Sequence, residues 1–112
     1  MNPKKWGPKF WFLMHSTSLD YPDNPSSSDK KHYKKFYKGL KYVLPCTDCR
    51  SNYAKHIAEL PLTNEVMNSR KNLFLWTVKM HNKVNKATGK KDIDPAYVLK
   101  EYSKKYDIKL EL

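Results

Sequence analysis

Apolar residues recur every three to four positions along much of the chain, which is the spacing of one face of an α-helix. The clearest case is the segment from about Asp29 to Leu44, in which lysines fill the opposite face. Pro45 follows directly and cannot continue a helix, so the pattern predicts that the segment ends there. Its apolar positions are Tyr33, Phe36, Tyr37, Leu40, Val43 and Leu44.

Four other segments show helical spacing and have helix-delimiting residues at their ends. We predict a first helix from about Pro8 to Leu19, because proline suits the first helical turn. Capping residues, prolines and a glycine delimit the remaining three segments. These run from Cys46 to about Leu60, from about Ser69 to Thr88 and, for a shorter last helix, from Asp94 onward.

Helices joined by short loops predict an all-α fold, and no convincing strand pattern is found. Helices of this length bury their apolar stripes by packing together, so we expect a four-helix bundle with a short fifth helix. A length of 112 residues fits a single domain spanning residues 1–112.

Composition agrees with this fold and raises a question about partners. Hydrophobic residues make up only 39% of the chain, but 13% of residues are aromatic and can each bury a large area. The net charge of +11 would attract anions such as nucleic acid. Because the lysines are dispersed rather than clustered, we favour an ordinary solvated surface over a nucleic-acid site.

The start of the chain and its hydropathy bear on location. The segment from Met1 to Lys9 is polar and lacks the apolar core of a signal peptide. No stretch is apolar enough to cross a membrane. We therefore expect a cytoplasmic protein without a membrane anchor, in the host cytoplasm or virion if the protein is viral.

The only two cysteines, Cys46 and Cys49, form a C-x-x-C pair directly after Pro45. A structural disulfide stabilises a fold by closing a long loop, and a two-residue spacer closes almost nothing. Without an export signal, this spacing indicates redox or metal chemistry. A helix N-terminus favours a thiolate, and Lys41 and Arg50 could add positive charge, so the position suits an exchangeable disulfide.

Two other interpretations of the cysteine pair stay open. Cysteines are often buried and inert, so both could be reduced core residues. Zinc needs four ligands, and the histidines show no H-x3-5-H spacing. The four histidines are His15, His32, His56 and His81.

A polar group lies on the predicted fourth helix, where His81 and Asn85 are one turn apart and Asn82 flanks them. Hydrogen-bonding side chains are costly on a helix that otherwise buries apolar residues, unless they meet a polar partner. A bound heterocycle would be such a partner, and a solvated helix face is the alternative.

A third group lies on the predicted first helix, where Trp11 and His15 are one turn apart and Tyr21-Pro22 follows. Aromatic side chains in this arrangement could stack on a planar ligand. Taken singly, each is more typical of an ordinary aromatic core.

Together and in this order, the motifs resemble the Erv/ALR family of FAD-linked sulfhydryl oxidases. The matching patterns are G-x3-W-x3-H-x5-YP, then PCxxC, then W-x4-HNxVN-x3-GK, and they span roughly residues 6 to 102. The compact, Lys- and Asn-rich chain looks most like the forms carried by large DNA viruses.

The resemblance implies a helical bundle, usually a homodimer, that holds FAD at its mouth and has no metal. Cys46 would react with thiols of a substrate protein or small redox relay protein, and Cys49 would lie nearer the flavin. Electrons would pass to FAD and then to O2, giving H2O2. The cofactor-binding residues implied are Gly7, Pro8, Trp11, His15, Tyr21, Cys49, His81, Asn82, Val84, Asn85, Lys90 and Tyr102.

The sequence departs from the family pattern in its cysteines. Val78 and Pro95 stand where family cysteines can occur, and no second cysteine pair is present to carry electrons from substrate to the active disulfide. The substrate is therefore less defined than the chemistry. A basic helical nucleic-acid-binding module and a zinc-stabilised interaction domain are the competing hypotheses.

Overall fold

The computed structural model describes all 112 residues and contains five α-helices and no strand, which confirms the all-α prediction. A single turn of 3₁₀-helix, Val66–Asn68, precedes the fourth helix. The helices are α1 (Pro3–Leu19), α2 (Ser27–Val43), α3 (Thr47–Glu59), α4 (Arg70–Ala87) and α5 (Pro95–Lys105).

Helix α1 begins five residues before the predicted start, so the predicted boundary at Pro8 was wrong. The side chain of Asn2 caps the helix by accepting a hydrogen bond from the Lys4 N–H, and Pro3 occupies its first turn. Pro8 therefore lies inside the helix, where its missing N–H removes one backbone hydrogen bond. Gly7 has no Cβ to clash with the proline ring, so the helix can continue through this position.

Helix α2 also begins earlier than expected, at Ser27 rather than Asp29. Ser26 accepts a hydrogen bond from the Asp29 N–H, and the Asp29 carboxylate accepts one from the Ser26 N–H. This reciprocal capping box satisfies two backbone donors that would otherwise have no partner at the helix start. Asp29 therefore lies in the first turn of α2 rather than at its start.

Helix α1 packs along α4, and α2 packs on α3, so that four helices enclose one main hydrophobic cluster. Buried tyrosines in this cluster direct their hydroxyls to backbone carbonyls. The Tyr37 hydroxyl donates to Met14 O at 2.9 Å, and the Tyr53 hydroxyl donates to Tyr37 O at 2.6 Å. These bonds let large aromatic side chains fill the core without leaving a polar atom unpaired.

Helix α5 covers a second hydrophobic cluster on the other side of α1 and α4. This arrangement brings the end of the chain against the two helices that carry the histidine motifs. The buried members are Leu19, Phe74, Val78, Val98 and Tyr102. None of the five helices is both long and apolar enough to traverse a lipid bilayer.

Candidate active site

The cysteine pair lies at the N-terminus of α3 and is joined as a disulfide between Cys46 and Cys49. Cys46 is the N-cap residue, and its sulfur accepts a hydrogen bond from the Cys49 N–H at 3.1 Å. Both residues are half-buried, and Cys49 packs against the main cluster. The disulfide therefore has an inner sulfur, Cys49, and the sulfur of Cys46 at the helix terminus, where a thiolate is stabilised.

Arg50 holds the chain that leads into the disulfide. Its guanidinium donates to Leu44 O at 2.5 Å and to Thr47 Oγ1 at 3.1 Å. The Lys41 ammonium lies over the Tyr42 ring, 5.1 Å from the ring centroid. Arg50 therefore fixes the position of the turn before α3, in addition to contributing positive charge near the cysteines.

The two histidines of the separate motifs meet between α1 and α4. His15 Nε2 lies 3.1 Å from His81 Nδ1, and His15 Nδ1 lies 2.9 Å from Thr77 Oγ1. His15 is only 2% exposed, so its two ring nitrogens are satisfied within the protein. The sequence placed these histidines in different groups, and tertiary packing joins them.

Trp11 stacks on this histidine pair. Its ring lies parallel to that of His81, with centroids 4.0 Å apart and an interplanar angle of 4°. Tyr102 approaches the pair from α5, with its ring edge-on to His15 at 5.8 Å. The result is a layered aromatic surface built from three helices, with Trp11 and His81 half-buried.

Burial keeps both histidines of the pair uncharged near neutral pH. Desolvation, together with the nearby His81, lowers the pKa of His15 to about 3. Desolvation and the charge of Lys90 lower the pKa of His81 to about 4. The Lys90 charge therefore acts close to the histidine pair, while the pair itself carries no positive charge.

Asn82 has partners within the chain. Its side-chain oxygen accepts from the Ile93 N–H at 2.8 Å, and its amide nitrogen donates to Ile93 O at 3.0 Å. The Asn85 amide lies 3.5 Å from the Asn82 oxygen, and Asn85 O accepts from the Lys90 N–H at 2.7 Å. These bonds fold the segment after α4 back on the helix and hold Lys90 beside it.

Glycine ends α4 in the manner that the sequence suggests. Gly89 has a φ of +75°, the one positive φ in the chain, and so turns the backbone directly after the last helical residues. Val84, one turn before Thr88, is half-buried on the same helix.

The structure does not bring Tyr21 to the other predicted site residues. Tyr21 is fully buried in the main cluster, and its hydroxyl donates to Met67 O at 2.7 Å. It lies beside Arg70 at the start of α4, where Arg70 Nε donates to Tyr21 O. Arg70 and His81 are eleven positions apart on α4, about 16 Å along the helix. Tyr21 has a core contact there instead.

Gly7 and Pro8 lie on α1 one turn before Trp11, at the open end of the same helix. A Cβ added at Gly7 would meet no atom within 4 Å, so there is free space beside this position. Pro8 is exposed. Both residues therefore lie next to the aromatic surface without being enclosed by the protein.

Thr77 is the site residue that the sequence did not reveal. It is fully buried and lies one turn before His81 on α4. Its spacing from His81 was a visible signal, because residues four apart share a helix face. A buried threonine on an apolar face is otherwise typical of helix packing, so nothing in the sequence linked it to His15.

Comparison with known proteins agrees with this architecture. The Erv1 / Alr family model matches residues 8–106. The chain belongs to the Erv1/Alr family. This confirms the resemblance inferred from the three motifs.

Viral members of the Erv1/Alr family are among the similar sequences. The chain is 50% identical over 91 residues to a probable FAD-linked sulfhydryl oxidase of Acanthamoeba polyphaga mimivirus, covering 81% of this chain and 64% of that protein. It is 34% identical over 88 residues to the FAD-linked sulfhydryl oxidase of African swine fever virus, covering 79% and 71%. The match thus spans less than two thirds of the mimivirus relative's length.

The fold is also that of a solved Erv1/Alr domain. The crystal structure of the FAD binding domain of Erv1 from Saccharomyces cerevisiae superposes with a TM-score of 0.84 at 29% sequence identity, covering 95% of this chain and 98% of that one. The bundle of this chain therefore has the architecture of that domain.

Positions where family cysteines can occur have apolar or capping roles here. Val78 is buried in the second cluster, and Pro95 occupies the first turn of α5. The hypothesis of a zinc-stabilised domain has no support, because no three His, Cys, Asp or Glu side chains are grouped to hold a metal. The hypothesis of a nucleic-acid-binding module has none either, since the family and the fold both belong to the oxidase group.

Proposed function

We propose that a single domain spanning residues 1–112 oxidises thiols of substrate proteins to disulfides, using FAD and the Cys46–Cys49 disulfide. The chain is an FAD-linked sulfhydryl oxidase of the Erv1/Alr type. The observation that carries the proposal is the disulfide at the N-terminus of α3, in a bundle that also presents the stacked Trp11–His81 surface. Membership of the Erv1/Alr family supports the interpretation of this disulfide and aromatic surface as a thiol oxidase site.

The residues present fit FAD. The cofactor is a planar heterocycle joined through a pyrophosphate to adenosine, so it needs flat apolar contacts and one source of positive charge. Trp11 and His81 supply parallel rings, and Lys90 supplies a charge beside them. The indole nitrogen of Trp6 is a buried donor without a partner in the protein.

The proposed cofactor-binding set follows the family motifs and these positions. Asn82 would act through the segment that it folds back, because its carbonyl oxygen is engaged by Ile93. Tyr21 would support the core rather than contact the cofactor directly. The remaining proposed contacts are Gly7, Pro8, Trp11, His15, Cys49, His81, Val84, Asn85, Lys90 and Tyr102.

The thiol chemistry assigns a different role to each cysteine. A substrate thiolate attacks Cys46 Sγ, the bond between Cys46 and Cys49 breaks, and Cys49 leaves as a thiolate. A second substrate thiolate then attacks the substrate sulfur of the mixed disulfide, and Cys46 leaves. The Cys49 N–H, which points at the Cys46 sulfur, stabilises that leaving thiolate.

The enzyme then holds two reduced cysteines and the substrate holds one new disulfide. Bound FAD supplies a two-electron acceptor for the cysteine pair and transfers the electrons to O2, giving H2O2. We assign this exchange to Cys49, and its inward packing against the main cluster supports the assignment. The loss of its proton is favoured by the N-terminus of α3.

Exposed apolar side chains beside the disulfide support a protein substrate rather than a small thiol. Tyr42 is 73% exposed and Val43 is 69% exposed at the end of α2, three and two residues before Pro45 respectively. Large exposed apolar residues next to a reactive group are typical of a contact surface. They would bind the chain around a substrate cysteine and present its thiolate to Cys46.

The domain is also proposed to form a homodimer. Exposed apolar residues on α1, Phe12 and Leu13, provide a surface that a second copy could cover. Size-exclusion chromatography with light scattering tests this directly. A particle with the mass of one chain at micromolar concentration would contradict it.

The experiment that tests the proposed function is the visible absorption spectrum of the purified, FAD-loaded protein. Addition of a dithiol without oxygen should bleach the flavin band. Admission of air should restore the band while oxygen is consumed and peroxide appears. A protein that retains no FAD after loading would overturn the proposal.

A further inference from the structure

A chain of hydrogen bonds runs from the backbone of α4 to the half-buried ring of His81. Thr77 Oγ1 lies 2.6 Å from Phe74 O and 2.9 Å from His15 Nδ1. His15 Nε2 in turn lies 3.1 Å from His81 Nδ1. Thr77 is fully buried and His15 nearly so, so water does not compete for these positions.

The buried end of the chain sets the direction of every bond in it. A carbonyl oxygen only accepts, so the single hydroxyl proton of Thr77 points to Phe74 O. Two oxygens 2.6 Å apart would repel each other without that proton. Thr77 Oγ1 must then accept, and His15 Nδ1 must carry a proton to donate to it.

The proton position on His15 also fixes the proton position on His81. A neutral imidazole carries one proton, so His15 Nε2 has a lone pair and accepts from His81 Nδ1–H. His81 Nε2 is then left with a lone pair. Both rings are neutral near pH 7, because burial lowers the pKa of each well below its usual value. A second proton on His15, at Nε2, would face the proton on His81 Nδ1.

His81 Nε2 is available to a ligand. It has no hydrogen-bond partner in the protein and is not among the enclosed unpaired atoms, which are Trp6 Nε1 and His56 Nδ1. Trp11, stacked parallel to the ring at 4.0 Å, keeps the imidazole from turning. The free nitrogen therefore has both a fixed position and a fixed chemical character.

We propose that Thr77 is a positioning residue that sets the tautomers of His15 and His81, so that His81 Nε2 presents a hydrogen-bond acceptor to the bound cofactor. The tautomer chain is independent of the proposed function. Only the identity of the ligand, FAD, rests on the proposed function. Thr77 acts on the cofactor solely through the two histidines.

A hydrogen-bond acceptor at His81 Nε2 determines which group of the ligand can bind there. A neutral lone pair binds an N–H or O–H group and repels a phosphate oxygen. Anionic groups are left to Lys90, whose charge acts on the same ring. In FAD, the N–H donors are the exocyclic amine of adenine and the imide of the flavin. The O–H donors of FAD are the hydroxyls of its ribose and of its ribityl chain. His81 Nε2 takes one of these N–H or O–H groups.

Nitrogen-15 NMR of the histidine rings in cofactor-free protein at pH 7 tests the tautomers, because protonated and unprotonated ring nitrogens resonate at distinct shifts. We expect Nδ1–H on both His15 and His81. Thr77→Val removes the hydroxyl at nearly constant shape. His15 Nδ1 would then face a methyl group, and a buried N–H without a partner is the costlier arrangement. Both rings should therefore switch to Nε2–H.

Two variants control for loss of packing. Thr77→Ser keeps the hydroxyl and should retain the native tautomers. Ser18→Ala removes another fully buried hydroxyl, which donates to His15 O and is not hydrogen-bonded to either ring, and should also retain the native tautomers. Nε2–H on His81 in the unaltered protein would overturn the proposal. So would a Thr77→Val spectrum that equals the unaltered one in a protein with native circular dichroism.

Binding of FAD and of its hypoxanthine analogue, measured by flavin fluorescence, identifies the donor. Hypoxanthine replaces the adenine amine with a carbonyl. Thr77→Val should weaken FAD by about tenfold, because an acceptor becomes a donor. If adenine is the donor, the analogue should bind the unaltered protein more weakly than FAD, and Thr77→Val should remove that preference. If the donor is the flavin imide or a hydroxyl of FAD, Thr77→Val should weaken the binding of both ligands equally. If Thr77→Val leaves the affinity for both ligands unchanged, the ligand part of the proposal is overturned. If the unaltered protein binds neither ligand, the proposed function is contradicted, but the tautomer result still stands.

Discussion

The reactive sulfurs differ in surroundings although they are three residues apart. Cys46 ends the turn that Arg50 holds, and Cys49 packs inward on the main cluster. This difference supports the distinct roles that we propose, with Cys46 reacting with substrate and Cys49 with the cofactor. Both cysteines are half-buried, and they differ because Cys46 is the N-cap of α3 whereas Cys49, within the helix, packs against the main cluster.

Substitution of each cysteine should separate these roles. Cys46→Ser should reduce turnover with a protein dithiol to background, because no disulfide remains. It should still show a broad long-wavelength absorbance when FAD is bound, from the thiolate of Cys49 beside the flavin. Cys49→Ser should lose both turnover and this absorbance. Normal turnover of Cys46→Ser, or the absorbance in Cys49→Ser alone, would reverse the assignment.

The neutral histidine pair should make the fold sensitive to acid. The pKa of His15 is lowered to about 3 in the folded protein, from an ordinary value of 6.5. The unfolded chain thus binds a proton first, and stability is lost as pH falls from about 6.5 toward 3. His15 contributes a slope of up to about 1.4 kcal/mol per pH unit within that window. His81 adds to the slope in the same direction, down to about 4.

Urea unfolding at pH 7, 6, 5 and 4.5 measures this slope. His15→Gln should lower the free energy of unfolding at pH 7 and should also flatten its decline at lower pH. A decline that stays equally steep in His15→Gln would show that other groups cause the acid sensitivity. His81→Gln provides an independent variant with the same expected direction.

At the scale of elements, capping residues determine where each helix begins. Asn2, Ser26, Ser69 and Asp94 each accept a backbone hydrogen bond at the start of a helix, and Cys46 does so at the start of α3. Such caps contribute about 1 kcal/mol each. The active disulfide therefore occupies a position that other helices fill with a simple capping residue.

The connection from α4 to α5 depends on Asn82. Asn82→Ala removes two hydrogen bonds to the backbone of Ile93 and should destabilise the protein by about 1–2 kcal/mol. Hydrogen exchange at the Ile93 amide should accelerate selectively, because its acceptor is lost. Lys86→Ala, an exposed change on the same helix, is the matched control and should leave that amide unaffected. Equal protection of Ile93 in both variants would contradict this role.

At the scale of the whole molecule, we expect the exposed apolar surface beside the disulfide to determine which thiols react. The double variant Tyr42→Ser with Val43→Ser should raise KM for a reduced protein substrate several-fold, because apolar contact area is lost. Turnover with dithiothreitol should not change, since a small thiol needs no such surface. Tyr97→Ser, which alters a similarly exposed residue on α5, is the control. A parallel loss with both substrates would indicate damage to the site instead.

The apolar spacing, capping residues and prolines in the sequence determined the five helices and their order. They also determined that the cysteine pair lies at the start of a helix. These features are local, because apolar spacing, caps and prolines act within one or two turns. The start of α1 was missed by five residues because Asn2-Pro3 and Pro8 both resemble a helix start, and only packing showed that the chain continues through Pro8.

Tertiary structure alone decided which motif residues meet. His15 and His81 are 66 positions apart, so no local pattern could place their nitrogens 3.1 Å apart. Packing likewise directs the Tyr21 hydroxyl to Met67 O and brings Thr77 to His15, since the burial and hydrogen bonding of both residues depend on neighbouring helices. The sequence therefore determined the chemical groups and the helices that carry them, while the crossing of α1 and α4 decided their contacts and the proton positions that follow.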